Sequence, residues 1–392
     1  MPDVVIIGGG IIGGACAHEL ASRGYSVTLV ERDGLAAGAS GRNQGWFVVT
    51  PDAACEPMSR RSLAVYLEAL EESPVPVAFD RADLGQVIFA FDDAGVQTVR
   101  QRAAGYESVG VRTERLDAGA LGREEPALTR DIAEAWLIHH GRRVDPGALT
   151  IALALRAREL GADIRRHTTV RALTTSGDRV TGVATDDGVI AADTVIVAAG
   201  PWSERLVRPL GHDLPVTGAR GWLVELRAPK GLLHHLVAEE WEEGGGEFPT
   251  ARSFADDDPS DPDVSVGLHP AADGTIVCGA SHHPMLSDEG ENSEAPRLIT
   301  GRAVRTIPAL ADAPLRSVRS GIRPMSPDDR PMVGWLGDGL FVATGHGSEG
   351  IILGGGTASL VGAIIGGDAE TPFDAAPFDP LRFTGSRGTK PA

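Results

Sequence analysis

The sequence predicts an α/β protein built on a parallel sheet, and three observations predict it. Val4 to Ile7 form a continuous apolar run, as in a strand buried on both faces. A helical pattern from Ile11 to about Arg23 follows at once and is closed by Gly24. A second apolar run, Val27 to Val30, ends at Glu31. Strand, helix and strand in that order make the βαβ unit from which parallel sheets are wound.

Later elements extend the pattern. Asp145-Pro146 reads as an N-cap with proline at the first helical position, opening a helix that stops at Gly161. Thr169 to Thr175, Arg179 to Thr185 and Val189 to Ala191, separated by Ser176-Gly177-Asp178 and Asp186-Asp187-Gly188, read as a small antiparallel meander. Another strand, Thr194 to Ala198, ends at Gly200. The stretch from Val237 to Pro270 has acidic loop composition punctuated by Pro and Gly, and the tail after Phe383 reads as disordered.

Composition narrows the function classes. The 392 residues are 42% hydrophobic, enough for a large core and about two or three domains. Lys plus Arg total 36 against 54 Asp plus Glu, a formal net charge of -18. Such a surface disfavours nucleic acid and anionic membranes, which need basic patches that release counterions. Lysine occurs only at Lys230 and Lys390, which removes it from almost every catalytic role. Cys16, Cys55 and Cys278 are scattered without a CxxC pair, so neither a disulfide framework nor a zinc site follows and a reducing, cytoplasmic compartment is expected. The apolar start lacks a basic n-region and carries Asp3, unlike a signal peptide. The Gly-rich run Ile351 to Gly367 is slightly shorter than a span of about 20 residues and reads as a helix buried within the protein.

The chemistry begins at Gly8-Gly9-Gly10-Ile11-Ile12-Gly13, a GxGxxG sitting between the first strand and helix. Gly8 permits the tight turn, Gly10 lets a pyrophosphate approach the backbone, and Gly13 allows close helix–strand packing. The helix N-terminus offers free N–H groups and a positive dipole end to phosphates. Glu31, about twenty residues on, stands where an acid hydrogen-bonds ribose hydroxyls, and it would repel the 2′-phosphate of NADP. FAD and NAD both satisfy this motif. Gly38 to Gly45, with Ser40, Arg42, Asn43 and Gln44, suits a loop wrapping a pyrophosphate and a polar ring edge. Near the C-terminus Gly321-Ile322-Arg323-Pro324 precedes a second strand–loop–helix, Ala343 to Ile352, whose Gly-rich helix start could face a reduced flavin's carbonyl.

These segments, in this order, resemble the FAD-dependent amine and amino-acid oxidase family, the group of D-amino-acid oxidase, glycine oxidase and monomeric sarcosine oxidase. The resemblance rests on the GxGxxG opening, GASGRNQG, RVDP, VIVAAGPWS, GIRPMSPDDRPMVG and GHGSEGI, with GASGRN particularly similar to the glutamylputrescine oxidoreductase branch. It covers nearly the whole chain except the middle. It implies a Rossmann-type FAD-binding domain made of 1–75, 143–215 and 315–392, with an inserted α+β substrate domain on an antiparallel sheet from 76–142 and 216–314. It also implies FAD contacts at Gly8, Gly10, Ile11, Ile12, Gly13, Glu31, Arg32, Ser40, Arg42, Asn43, Gln44 and Gly45. Further contacts are implied at Val170, Ala199, Gly200 and Trp202, and at Gly345, His346, Gly347, Ser348, Gly350 and Ile351. Arg323 would grip a substrate carboxylate, for which a planar guanidinium is apt. The implied activity is oxidation of a primary or secondary amine, an α-amino acid above all, with hydride transfer to flavin and electrons passing to dioxygen or another acceptor.

Departures from the family pattern carry information too. No cysteine stands near Arg323 and no histidine in the Arg42-Asn43 loop, so neither family flavin tether is present and the FAD is expected to be non-covalent. Neither lysine fits the oxygen-activating position of sarcosine oxidase. Ser348 replaces an arginine of the glycine-oxidase type, which changes the expected substrate contacts. Trp46, Trp222 and Trp335 are candidates to wall the site, Arg220 to assist carboxylate binding, and His346 to act beside the flavin. The pairs His234-His235 and His282-His283 lack carboxylates at ligand spacing, so no metal is expected.

Overall fold

The computed structural model describes residues 1, 3–240, 263–271, 273–284 and 294–383. The predicted tail, and residues 241–262 of the predicted acidic stretch, lie outside the described residues. A six-stranded sheet carries the N-terminal unit. Val4–Ile7 lies at its centre, parallel to Val27–Val30 on one side and Thr194–Val197 on the other, with Ile6 opposite both Leu29 and Ile196. Asp163–Arg165 and Leu340–Thr344 extend it in parallel, and Met332–Gly337 closes one edge antiparallel. All four residues of Val4–Ile7 are buried because both faces are covered. Each such side chain contributes roughly 2 kcal/mol of burial.

One face packs against four helices: Ile11–Ser22, Glu56–Glu71, Pro146–Glu159 and Gly350–Gly366. The Pro146 helix starts as its sequence requires, with Asp145 accepting from the Ala148 N–H at 2.9 Å. The Gly350–Gly366 helix is buried against Glu56–Glu71, since a Cβ at Gly356 would sit 2.2 Å from the Met58 carbonyl oxygen. Its glycines allow two backbones to touch. Among the described residues no helix is long and apolar enough to cross a membrane. The opposite face carries the meander Val170–Ser176, Arg179–Thr185 and Gly188–Ala191.

A second sheet of eight strands is antiparallel except where Leu236–Glu239 runs parallel to Gln86–Ala90. Two expectations change here. Leu315–Met325, assigned from sequence to the cofactor domain, is an edge strand of this second sheet, paired with Thr217–Arg227 over their whole lengths. The returning chain thus fills this sheet edge before it reaches Met332–Gly337 of the first sheet. The ends of the predicted acidic loop are also strands, Leu236–Glu239 and Asp263–Pro270, held by ladder bonds to each other. Their neighbours, not their own composition, decide that.

Candidate active site

Two cavities meet between the sheets. The larger, about 860 Å³, runs from the Gly8–Ile12 turn past Glu31, Thr168–Arg171 and Ala199–Trp202 to Gly321–Pro324 and His346–Ile351. The smaller chamber, about 390 Å³, lies beyond it. Arg42, Asn43, Gly321, Arg323, Ser348 and Ile351 line both, so they mark the junction.

The first cavity is shaped by the glycine turn. Gly8 holds φ +114°, and a Cβ on Gly13 would stand 1.9 Å from the Gly8 carbonyl oxygen, so only glycine lets helix and strand close. A Cβ on Gly10 would reach within 3.0 Å of Ser40 Oγ, the same atom that accepts from the Ile11 N–H at 2.9 Å. The strand–turn–helix thus keeps a bare backbone surface at a positive helix end. Glu31 accepts from the Gly9 N–H at 2.6 Å and the Asp33 N–H at 2.7 Å, and still lines the cavity with lone pairs to spare. Arg32 lies over the Trp202 ring, 4.9 Å from its centroid. In the Gly38–Gly45 loop Asn43 works inward: its amide donates to the Ala39 and Ser40 carbonyls and its oxygen accepts from the Gly45 N–H. Gln44 donates to the Gly267 carbonyl at 2.8 Å, tying this loop to the second sheet.

At the other end, Gly345 (φ +76°) and Gly347 (φ +52°) bend the chain into the Gly350–Gly366 helix. The N–H groups of Gly350, Ile351 and Ile352 precede the first intrahelical bond and point out of the helix start at the junction. His346 is buried, and burial pushes its imidazole down to about 3, so it is neutral. The Thr357 hydroxyl donates to Met58 Sδ and accepts from His346 Nε2–H at 2.9 Å. That leaves Nδ1 as a lone-pair acceptor, with no partner among the described residues. His346 lines the first cavity and not the chamber, so it stands on the cofactor side rather than among substrate contacts.

The bare glycine turn, the two positive helix ends and this orphaned acceptor suit a dinucleotide carrying a ring with hydrogen-bonding edges. All the expected contacts from Gly8 to Gly45 lie around these two cavities, with Gln44 and Gly45 on the chamber side and Gly13 behind the turn. Val170, Ala199, Gly200, Trp202, His346, Gly347, Ser348, Gly350 and Ile351 line the larger cavity, and Gly345 sits one residue behind it.

Arg323 dominates the chamber. Its strand places it beside the junction, stacked over the backbone of Gly221, where any Cβ would strike the guanidinium. It donates to the Ser281 carbonyl at 2.9 Å, and among the described residues no carboxylate faces it within ion-pair distance. Burial alone pushes its guanidinium down to about 10, so it remains a cation at neutral pH. The same burial, with the Arg323 charge beside it, drives His282 well below its usual range.

Strand alternation sorts the other candidates. Gly221 and Leu223 line the chamber, so Arg220 and Trp222 belong to the opposite face of the sheet and do not touch it. Trp46 does line it, while Trp335 lies partly exposed against Phe341, away from both cavities. Of the histidine pairs, His234-His235 is held by Glu125, which accepts from both backbone N–H groups and contacts His235 Nδ1 at 2.9 Å, while His282 lines the chamber. His282 and His283 point to opposite faces of one strand.

Sequence reasoning missed Glu349, which stands at the N-cap position of the last helix and accepts from Thr50 Oγ1 at 2.9 Å on the chamber wall. An acid at a helix start beside a glycine loop was the available signal. It also missed the helix Asp93–Ser108, which forms the chamber's far wall.

Comparison with known proteins agrees with this geometry. The chain is 28% identical to a glycine oxidase of Geobacillus kaustophilus over 397 residues, covering 99% of both chains. It is 28% identical over 379 residues to a bifunctional ThiO/ThiG protein of a Nostoc species, covering 93% of this chain and 52% of that one. The chain thus spans about half the length of such bifunctional relatives. The crystal structure of the Geobacillus kaustophilus glycine oxidase superposes with a TM-score of 0.84 at 27% identity, covering 97% of this chain and 98% of the other. The model of the FAD dependent oxidoreductase family matches residues 3–364. A match that runs through both sheets and both cavities makes the chain a member of the FAD dependent oxidoreductase family.

Proposed function

We propose that the chain oxidises the C–N bond of a primary or secondary amine, an α-amino acid, to an imine that water then hydrolyses. The observation that carries this is Arg323: a half-buried guanidinium at the junction of the cavities, facing no carboxylate among the described residues. A buried cation without an anion is costly unless a ligand supplies one. The carboxylate of an amino acid would do so through two parallel N–H bonds, setting the α-carbon toward the cofactor cavity. The names of the glycine-oxidase relatives support the same substrate class.

FAD, when bound, would supply the two-electron acceptor for the α-C–H bond, with dioxygen, reduced to hydrogen peroxide, or another carrier taking the electrons on. The residues expected from sequence to hold it non-covalently are those around the larger cavity, with Glu31 for the ribose and the two helix ends for pyrophosphate and ring. The eight-stranded sheet, including Leu315–Met325, would form the substrate-binding unit, and the six-stranded sheet the cofactor unit. Neutral His346 would accept a hydrogen bond at Nδ1 without exchanging a proton. Trp46 would wall the substrate.

The test is the visible spectrum of the purified protein during anaerobic addition of amino acids and secondary amines. Bleaching of the oxidised-flavin bands by a carboxylated amine is expected. Rapid return of colour in air would mark an oxidase, and slow return a dehydrogenase using another acceptor. Bands that no amine bleaches would refute the amine reading.

A further inference from the structure

The chamber is much deeper than a two-carbon amino acid requires. Its ≈ 390 Å³ is shared at one end with the expected FAD contacts Arg42 to Gly45 and Ser348, and beyond them it extends to a helix none of whose chamber residues borders the cofactor cavity. Its far wall is also a surface of a definite kind. The helix Asp93–Ser108 buries Val96, Val99, Ala103 and Tyr106 in its own core cluster. Toward the chamber it turns Gln97, Thr98, Gln101, Arg102 and Gly105, spaced as one helical face. None of these residues borders the cofactor cavity. Glu240 meets this stripe, its carboxylate 3.9 Å from Arg102 Nε. The positive charge of Arg102 is thus answered locally, Glu239 is paired with Arg302 and Glu349 accepts from Thr50, so the chamber offers amide, hydroxyl and partnered charged groups rather than a single sign.

We infer that the substrate is an elongated amino acid, anchored by its carboxylate at Arg323 and carrying a side chain that ends in a neutral hydrogen-bonding group, such as an amide, against the Gln97–Gln101–Arg102 stripe. This rests on the proposed amine oxidation for its chemistry, but the length and polarity of the ligand follow from the chamber alone. A balanced ion pair disfavours a second full charge, while two amide side chains at i and i+4 can donate and accept toward a third. The half-open position of the stripe lets the distal group enter with little desolvation.

Two measurements test it on the FAD-loaded protein. In the first, carboxylates that cannot be oxidised, acetate and the amide-ended glutaramate, are titrated while tryptophan emission and the flavin spectrum are followed. Glutaramate is expected to bind at least about tenfold more tightly than acetate, equivalent to about 1.4 kcal/mol. Thr98→Trp, which fills the far end from a partly exposed position, should abolish that advantage and leave acetate unchanged. Gln101→Ala, an exposed change that leaves the helix intact, should reduce it several-fold. In the second, glycine and both enantiomers of alanine- to glutamine-length amino acids are compared by kcat/KM. The amide-ended substrate should exceed both alanine and the hydrocarbon-ended norleucine. Equal binding of acetate and glutaramate, or an equal effect of Thr98→Trp on both, overturns the inference. Tight glutaramate binding with no amine turned over would uphold the elongated ligand and refute the amine reading instead.

Discussion

Replacing Arg323 with Met removes a half-buried cation at the junction while keeping most of its volume. The guanidinium faces no carboxylate among the described residues, so its charge penalises the folded protein. With its guanidinium lowered from 12.5 to about 10, the folded state binds fewer protons than the unfolded chain between those values. Stability therefore rises with pH across that window, and below about 10 the penalty is fully present. The substitution removes that penalty and loses one hydrogen bond to Ser281, worth about 1 kcal/mol. The removed penalty outweighs the lost bond, so stability should hold or rise and Tm should not fall. Binding should change far more. Losing a bidentate, desolvated carboxylate contact costs about 2–4 kcal/mol, or about 30- to 1000-fold in kcat/KM for carboxylated amines. An amine without a carboxylate should lose almost nothing. Steady-state kinetics on both substrate types, alongside thermal melts of the flavin-loaded protein, checks the pair of claims. An equal loss for both substrates, or a large fall in Tm, would show Arg323 to be a structural residue and refute the reasoning.

Four further outcomes are expected. Ser40→Ala should remove the oxygen that accepts from the Ile11 N–H, cost about 1 kcal/mol at the helix start, and weaken FAD several-fold by equilibrium dialysis. Gly13→Ala, whose Cβ meets the Gly8 backbone oxygen at 1.9 Å, should yield protein without flavin absorbance or no folded protein. Trp46→Ala should raise KM, whereas Trp222→Ala, on the far face of the sheet, should leave KM unchanged and act only on melting temperature. His346 is held down to about 3 against an ordinary 6.5. Its contribution is complete above 6.5 and is lost as pH falls toward 3, by up to about 1.4 kcal/mol per pH unit. His346→Asn should flatten the fall in denaturation midpoint over the upper part of that range.

Much of the cofactor half was legible because its signals are local. A buried strand, a glycine turn and an acid at the next strand end specify the βαβ unit through backbone sterics, and Gly8, Gly13 and Glu31 stand as those sterics demand. Asp145 and the meander turns were readable for the same reason. The chamber was not, because its walls come from strand alternation and sheet register. Whether Arg220 or Gly221 faces the substrate depends on which side of Thr217–Arg227 is covered, and both are compatible with the local sequence. The pairing of Leu315–Met325 was not legible because its partner lies nearly a hundred residues away. Glu349 was passed over as part of a glycine loop, although it stands at a helix N-cap position. The polar face of Asp93–Ser108 looks in sequence like any solvated helix surface.

The Gly347 N–H donates to the Pro324 carbonyl at 2.8 Å, one residue from Arg323 and in the loop that leads into the last helix. Arg323 and the loop before the last helix are thus gauged against each other across one peptide contact, not through the long path between the two sheets. Slow breathing of the eight-stranded sheet would move the far wall while that short gauge stays constant. Ligands of different length would then meet the same reacting geometry at one end and a compliant boundary at the other. Differences among them should be carried by how much motion the distal end gives up, as a temperature-dependent entropy of binding, with the rate of the chemical step nearly common to all.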